Sequence, residues 1–346
     1  MAARAFITGV SGLTLSRDER AFLADAEPFG FILFKRNIDT KDQVRGLVAS
    51  LRDAVGRQAP VLVDQEGGRV QRLDAPHWTK YPPGSAYGAL FERDPEAGVA
   101  AARLGARLIA ADLAELGIDV DCLPLADVPV PGADPLIGDR AYGTHPDKVA
   151  AIAAAVAAGL HEGGVLPVVK HLPGHGRATA DSHRALPVVT AERSLLEVTD
   201  FAAFRPLARL PLGMTAHVVF TAIDPLSPAT TSATMIGDVI RGWIGFDGLL
   251  MCDDVSMGAL SGSLAQRARA ALAAGCDVVL HCNGLMQEMR AVADEAPLLA
   301  GEASRRASAA LAARRPPHPI DIAEARARFA GMMAALVSDA PRIATT

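Results

Sequence analysis

The stretch Leu166-Pro-Val-Val-Lys-His-Leu-Pro-Gly-His-Gly-Arg-Ala-Thr-Ala-Asp-Ser-His183 begins as an apolar run and ends as a loop dense in titratable groups. Leu166 to Val169 has the character of a short buried strand, and Pro173-Gly174 breaks it. Three histidines, a lysine and an aspartate then fall between Val169 and His183. An ordinary core has no use for such a set. Loops on a rigid scaffold commonly carry the chemistry, so this one is a candidate active site; the competing reading is a solvated loop with incidental histidines.

Outward from this stretch the same unit recurs in both directions. Strand-like runs at Ala5–Thr8, Gly30–Phe34, Pro60–Val63, Ile118–Leu123, Leu166–Val169, Gly213–Phe220, Gly248–Cys252 and Asp277–Cys282 alternate with helical patterns. The helices are expected near residues 16–26, 41–55, 94–116, 146–162, 195–209, 234–243 and 264–274. Ser16 before Arg17-Asp18-Glu19 has the form of an N-cap with an acidic first turn. Eight strands, each followed by a helix, predict an α/β chain folded as a single-domain (β/α)8 TIM-type barrel. A doubly wound open sheet is the runner-up, but no GxGxxG follows the first strand and no GxxxxGK[ST] occurs. Residues 1–313 are expected to form the barrel. Residues 314–346 supply a Pro-rich linker and a C-terminal amphipathic helix, near 320–337, packing on its outside.

Composition narrows the function classes. Half the 346 residues are apolar and 21% are charged, which places the chain among folded globular proteins. A net charge of −5 gives no case for nucleic acid or an anionic membrane as partner. Cys122, Cys252, Cys276 and Cys282 sit in or beside apolar runs without CxxC spacing, which reads as buried free thiols of a reducing compartment. Met1 to Val10 lacks the pattern of a signal peptide, and no apolar run nears the roughly 18 residues needed to span a bilayer. A cytoplasmic protein is expected.

Barrel active sites form at the carboxyl ends of the strands, and unusual polar residues collect there. Asp64 ends the third strand, with Arg69 and Arg72 beyond; Asp127, then Asp139-Arg140, follow the fourth; Lys170-His171 ends the fifth. The sixth carries His217, the seventh ends in Asp253-Asp254, and the eighth carries His281 and Asn283. Asp127, His217 and Asn283 read equally well as substrate contacts or as groups tying strand ends together, and His281 as a buried histidine. Adjacent aspartates point to opposite sides of a strand, so one of Asp253 and Asp254 should face the mouth and the other bond backbone. Two chemistries fit. Metal-assisted hydrolysis would draw on His171, His175, His183, His217 and Asp253, but Lys170, Arg72 and Arg140 would repel a divalent cation. Attack of a carboxylate on a sugar, with a second group protonating the leaving oxygen, suits the mix of Arg, Lys and Asp, which fix hydroxyl and amide groups by directional hydrogen bonds.

Lys170-His-Leu-Pro-Gly-His-Gly176 with Asp181-Ser-His183 resembles the signature of the single-domain bacterial β-N-acetylglucosaminidases of glycoside hydrolase family 3. Asp64-Gln-Glu-Gly-Gly-Arg-Val-Gln-Arg72, Ile137-Gly-Asp-Arg140, Thr215-Ala-His-Val218 and Cys252-Asp-Asp-Val-Ser-Met257 resemble further blocks of that family in the same order, over roughly residues 5 to 300. Cys252 stands where Ser or Thr is usual, and Leu172 where Phe is common. The resemblance implies Asp253 as nucleophile, His183 as general acid/base with Asp181 orienting it, and Asp64, Arg72, Arg140, Lys170 and His171 as sugar contacts. Histidine suits the acid/base task because its unperturbed pKa of about 6.5 already lies near neutral pH. The implied activity is retaining, exo-acting hydrolysis of terminal β-linked N-acetylglucosamine, with 1,6-anhydro-N-acetylmuramoyl peptides of cell-wall recycling as the substrate. No metal, cofactor, nucleic acid or membrane is implied, and a monomer is expected. The loop glycines Gly174 and Gly176 are expected to let residues 173–180 swing His183 over the leaving group. His175 falls to anchoring that loop. A phosphorylase on the same fold and a non-catalytic sugar-binding barrel are the alternatives.

Overall fold

The computed structural model describes residues 3–338. Eight parallel strands run β1 (Arg4–Thr8), β2 (Pro28–Leu33), β3 (Val61–Val63), β4 (Val120–Asp121), β5 (Leu166–Leu172), β6 (Leu212–Thr215), β7 (Leu249–Met251) and β8 (Val279–His281). They form one sheet in the order β7-β6-β5-β4-β3-β2-β1-β8. A parallel bridge between Met251 and Val278 brings its two ends together into a nearly closed barrel. The strands are buried almost throughout, as expected of a parallel sheet covered by helices, and so they read as apolar runs without alternation.

The helices start and stop where local chemistry dictates. Helix α1 (Arg17–Ala26) is capped by Ser16, whose hydroxyl accepts from the Glu19 N–H while the Glu19 carboxylate takes the Ser16 N–H; Ser16→Ala should cost about 1 kcal/mol. Helix α2 (Lys41–Val55) starts at the Thr40 cap and ends at Gly56. Two helices follow β3 where one was expected. These are α3 (Gly84–Arg93) and α4 (Pro95–Ala114), separated by Asp94, which caps α4. Helix α5 (Pro146–Glu162) precedes β5.

Three expected elements differ. The helix expected over 195–209 is a short α6 (Arg193–Val198) and a 3-10 segment, Ala202–Leu207. Thr199 Oγ1 donates to the Leu195 carbonyl and Asp200 takes its carboxylate to Arg177, so side chains divert the backbone there, and Pro206 lacks an N–H. Residues Met235–Trp243 form a π-helix, with Ile244 N–H donating to the Val239 carbonyl five residues back. The strand expected over 213–220 stops at Thr215, and Val219–Phe220 pairs instead with Val188–Val189, which releases His217 from the barrel wall.

The remaining helices are α7 (Leu264–Ala274), α8 (Met286–Glu295), α9 (Gly301–Ala312) and α10 (Ile322–Ser338). On α10, Phe329 lies against the rings of Tyr81 and Tyr87 and Arg326 pairs with Asp112 at 2.6 Å. The expected C-terminal region runs on to residue 346, and 339–346 lie outside the described residues. Among the described residues no helix is long and apolar enough to cross a membrane.

Candidate active site

At the carboxyl ends of the strands lies a cavity of about 380 Å³ whose walls include Asp64, Arg72, Arg140, Lys170, His171, His183 and Asp253. That volume suits a small molecule held at a pocket, in the usual range of roughly 300–1,000 Å³. One wall is a buried charge network. Lys170, 2% exposed, donates from Nζ to Asp64 at 3.0 Å and pairs with Glu66 at 2.7 Å. Arg72 donates to the other Asp64 oxygen at 2.9 Å, and Arg140 grips Glu66 through Nε and an Nη, both at 2.8 Å. Burial opposes ionisation of both carboxyls, but the neighbouring cations outweigh it. Asp64 is held well below the usual carboxylate range, chiefly by Lys170 and Arg72; Glu66 is held at about 2, chiefly by Arg140 and Lys170. Burial likewise disfavours the Lys170 ammonium, yet Asp64 and Glu66 raise its pKa and keep it charged.

Glu66 was not among the expected site residues. It sits on a two-stranded ribbon, Gln65–Gly67 against Val70–Gln71, that folds back over the end of β3. Gly67 turns that ribbon with φ +91°, where a Cβ would meet the Pro82 carbonyl oxygen at 2.4 Å. Two signals could have found it. Glu66 lies two residues after Asp64, hence on the same side of an extended chain, and three cations among the expected sugar contacts, with Asp64 their one carboxylate, call for another.

Next to this network, Asp127 is fully buried and fixes two histidines. Its carboxylate accepts from the His171 ring Nδ1–H at 2.7 Å and from the backbone N–H groups of His171 (3.2 Å) and His175 (2.7 Å). Against the opposing effect of burial, His171 leads the interactions that bring its pKa down to about 2. Asp127 therefore ties strand ends and orients His171. His217 behaves similarly: Nε2–H donates to the Asp254 carbonyl at 3.0 Å, and Nδ1 meets the Thr230 hydroxyl at 2.7 Å. Burial lowers its pKa. Asn283 reaches Glu288 from the cavity rim, and His281, fully buried, bonds the same carboxylate.

The adjacent aspartates after β7 divide as expected in part. The Asp254 carboxylate bonds the N–H of Cys282 and both the N–H and hydroxyl of Ser256. Among the described residues Asp253 takes only the Asp254 N–H, at 2.8 Å, which leaves carboxylate lone pairs for the cavity it lines. Both residues border the cavity, because the chain has left the strand at Met251. Burial raises the Asp253 pKa, but His217, His171 and the Asp254 N–H overcome this and hold it below the ordinary value. It is an anion at neutral pH.

His183 lies on the loop after β5. Asp181 Oδ1 accepts from both its backbone N–H and its ring Nδ1–H, each at 2.9 Å, so Nε2 is the ring atom free to exchange a proton with a ligand. The ring is 62% exposed and borders the same cavity as Asp253. Around the glycines expected to act as a hinge, Gly174 and Gly176, the chain is closely tied. Gly176 is buried where a Cβ would stand 2.3 Å from the Val128 carbonyl, His175 is bonded to Asp127 and Ser182, and Arg177 pairs with Asp200 at 2.9 Å. Close approach explains Gly176, and a backbone φ of +146° explains Gly174. The loop is exposed at Thr179 and over residues 183–186.

His217 spends both ring nitrogens on protein partners, while His171 and His175 each commit one, to Asp127 and to Ser182; among the described residues no three His, Cys, Asp or Glu side chains are grouped to hold a metal. The four cysteines are free thiols.

A parallel eight-stranded barrel with an under-bonded carboxylate, an exposed histidine–aspartate pair and a wall of fixed cations and anions at its mouth is the constellation of a barrel glycoside hydrolase. More narrowly, residues 7–308 match the glycosyl hydrolase family 3 N-terminal domain, and the chain belongs to that family. It is 42% identical over 281 residues to a β-hexosaminidase of Alkalilimnicola ehrlichii, covering 80% of this chain and 79% of that one. A β-hexosaminidase of Chromobacterium violaceum is 36% identical over 327 residues, covering 93% and 85%. Among solved structures, NagZ from Neisseria gonorrhoeae in complex with N-trifluoroacetyl-D-glucosamine superposes with a TM-score of 0.84 at 29% identity, over 98% of each chain.

Proposed function

We propose that the protein is a retaining exo-β-N-acetylglucosaminidase. The observation that carries this is the meeting, in one cavity, of an ionised, under-bonded Asp253 and a His183 whose Nδ1 is committed to Asp181. In the first step an Asp253 oxygen forms a bond to the anomeric carbon. The glycosidic C–O bond breaks, and its electron pair takes the proton from His183 Nε2. In the second step His183 accepts a proton from water, whose oxygen displaces Asp253 from the same carbon. Two displacements restore the starting configuration. Asp181 positions the ring and stabilises the imidazolium that exists before each proton is given. Asp64, Arg72, Arg140, Lys170 and His171 hold the sugar. The family relatives named β-hexosaminidase support the N-acetylhexosamine specificity, as does the likeness to a NagZ that binds N-trifluoroacetyl-D-glucosamine. In this reading the enzyme is cytoplasmic and monomeric and acts on GlcNAc-1,6-anhydroMurNAc peptides of cell-wall recycling.

The test is hydrolysis of an aryl N-acetyl-β-glucosaminide beside the matching β-glucoside, with the first-formed anomer followed by NMR. The expected outcome is strong preference for the N-acetyl substrate and a β-configured product. An α product would sink the double displacement, and a sugar 1-phosphate formed in phosphate buffer would make the enzyme a phosphorylase.

A further inference from the structure

The proposed sugar contacts come from the ends of β3 and β5 and the loop after β4. Around the barrel, β8 and β1 stand opposite β4 and β5, and that side of the cavity carries a cation the mechanism above leaves unused. Arg36 follows β2, is exposed, and lines the same cavity as Asp253. Its Nε donates to the Val10 carbonyl at 2.9 Å and one Nη to the Cys282 carbonyl. Carbonyls from the loops after β1 and β8 therefore fix the guanidinium without neutralising it. Gly9 makes room for it: a Cβ there would lie 2.8 Å from that Nη and 2.4 Å from the Cys282 oxygen.

The carboxylate whose field reaches Arg36 is Asp254, whose lone pairs already serve Cys282 and Ser256. Other rim arginines are compensated. Arg69 pairs with Asp139 at 2.9 Å, and Arg72 and Arg140 are bonded to Asp64 and Glu66. Phe34 lies between Arg36 and the sugar wall, with the guanidinium carbons of Arg36 and Arg72 at 5.1 and 5.3 Å from its ring centre. Arg36 thus stands one aromatic ring beyond a sugar contact, on the side away from the β4 and β5 ends.

We propose that Arg36 forms an aglycone subsite that selects leaving groups bearing a carboxylate close to the glycosidic oxygen. The unused guanidinium N–H groups supply charge-assisted hydrogen bonds to that carboxylate, and the Phe34 ring packs against the body of the leaving group. This rests on the glycosidase function proposed above.

The test compares phenyl and 3-carboxyphenyl N-acetyl-β-glucosaminides, because a meta carboxylate scarcely changes the acidity of the phenol. For the wild type, kcat/KM should favour the carboxylated substrate about five- to tenfold, and less at high salt. Arg36→Met should bring the ratio to about one, and Arg36→Lys should retain part of it because charge survives without the planar fork. Equal losses on both substrates in Arg36→Met would reduce Arg36 to a tie between loops and overturn the subsite. Calorimetric binding of the two glycosides to Asp253→Asn reads the same ratio without turnover. A wild type that hydrolyses neither glycoside sinks the glycosidase function, whereas absence of a carboxylate preference in binding sinks the subsite.

Discussion

Lys170 and His183 border the same cavity and come from the same stretch of chain, but their surroundings differ sharply. Lys170 is 2% exposed and bonded to two carboxylates that are themselves gripped by Arg72 and Arg140. His183 is 62% exposed and its ring is bonded to Asp181. A charge buried that deeply is tolerable only when every partner is present, so the Lys170 network is rigid by energetic necessity. The groups proposed to hold the sugar are thereby set before any ligand arrives, which spares the cost of organising them during reaction. The proposed acid/base pair carries no such constraint. It sits where water and leaving group can reach it, and it can alternate between donating and accepting a proton without stranding a charge in the core.

The difference is measurable as stability. Lys170→Met would leave Asp64 and Glu66 facing each other with one cation fewer, and should destabilise the fold by about 3–5 kcal/mol in urea titration while abolishing activity. Asp181→Asn removes a half-exposed pair and should change stability by less than about 1 kcal/mol. Similar stability losses in the two variants would erase the contrast between wall and loop.

An effect of comparable size separates the two regions in chemistry. His183→Ala should lower kcat by about 10²- to 10⁴-fold for an alkyl or sugar leaving group, and far less for a nitrophenyl one, which departs without a proton. The measurement is kcat against leaving-group pKa. A slope unchanged from wild type would remove His183 from the acid/base role, however inactive the variant.

The sequence disclosed the barrel through strands such as β5 and β7, whose apolar runs are bounded by Gly, Pro or Asp and need no tertiary information. It disclosed the cavity through the polar residues at their ends. It was less informative where long-range partners overrule local preference. The break at Thr199-Asp200 depends on Arg177 arriving from the loop after β5, and the early end of β6 depends on Val188–Val189 offering a second pairing. Glu66 was obscured because it lies among glycines in a ribbon whose turn brings it back over β3. The two loop glycines suggested freedom as glycines in a loop; the structure gives them other reasons, a positive φ at Gly174 and the close approach of Val128 at Gly176.

His175 joins the two regions, and its titration gives the smallest of these effects. It reaches back to Asp127 through its N–H and forward through Nε2 to Ser182, at 3.0 Å, the residue between Asp181 and His183. Burial, reinforced by His171, lowers its pKa to about 4. An unfolded histidine titrates near 6.5, so between pH 6.5 and 4 the unfolded chain binds a proton that the folded chain refuses. Stability is therefore full above pH 6.5 and falls as pH drops through that window, by at most about 3 kcal/mol from this residue. Buried His217, also shifted down, acts with the same sign. Glu66 and Asp127, held at about 2, remain ionised in the folded protein throughout, so carboxylates add to the loss only below about pH 5, as those of the unfolded chain begin to protonate. His175→Gln keeps a group able to reach Ser182 but does not titrate. Urea titrations from pH 7 to 5 should show a shallower loss in that variant than in wild type. Parallel curves would mean that His175 takes up its proton in place, and that the buried wall does not hold the catalytic loop through a neutral ring.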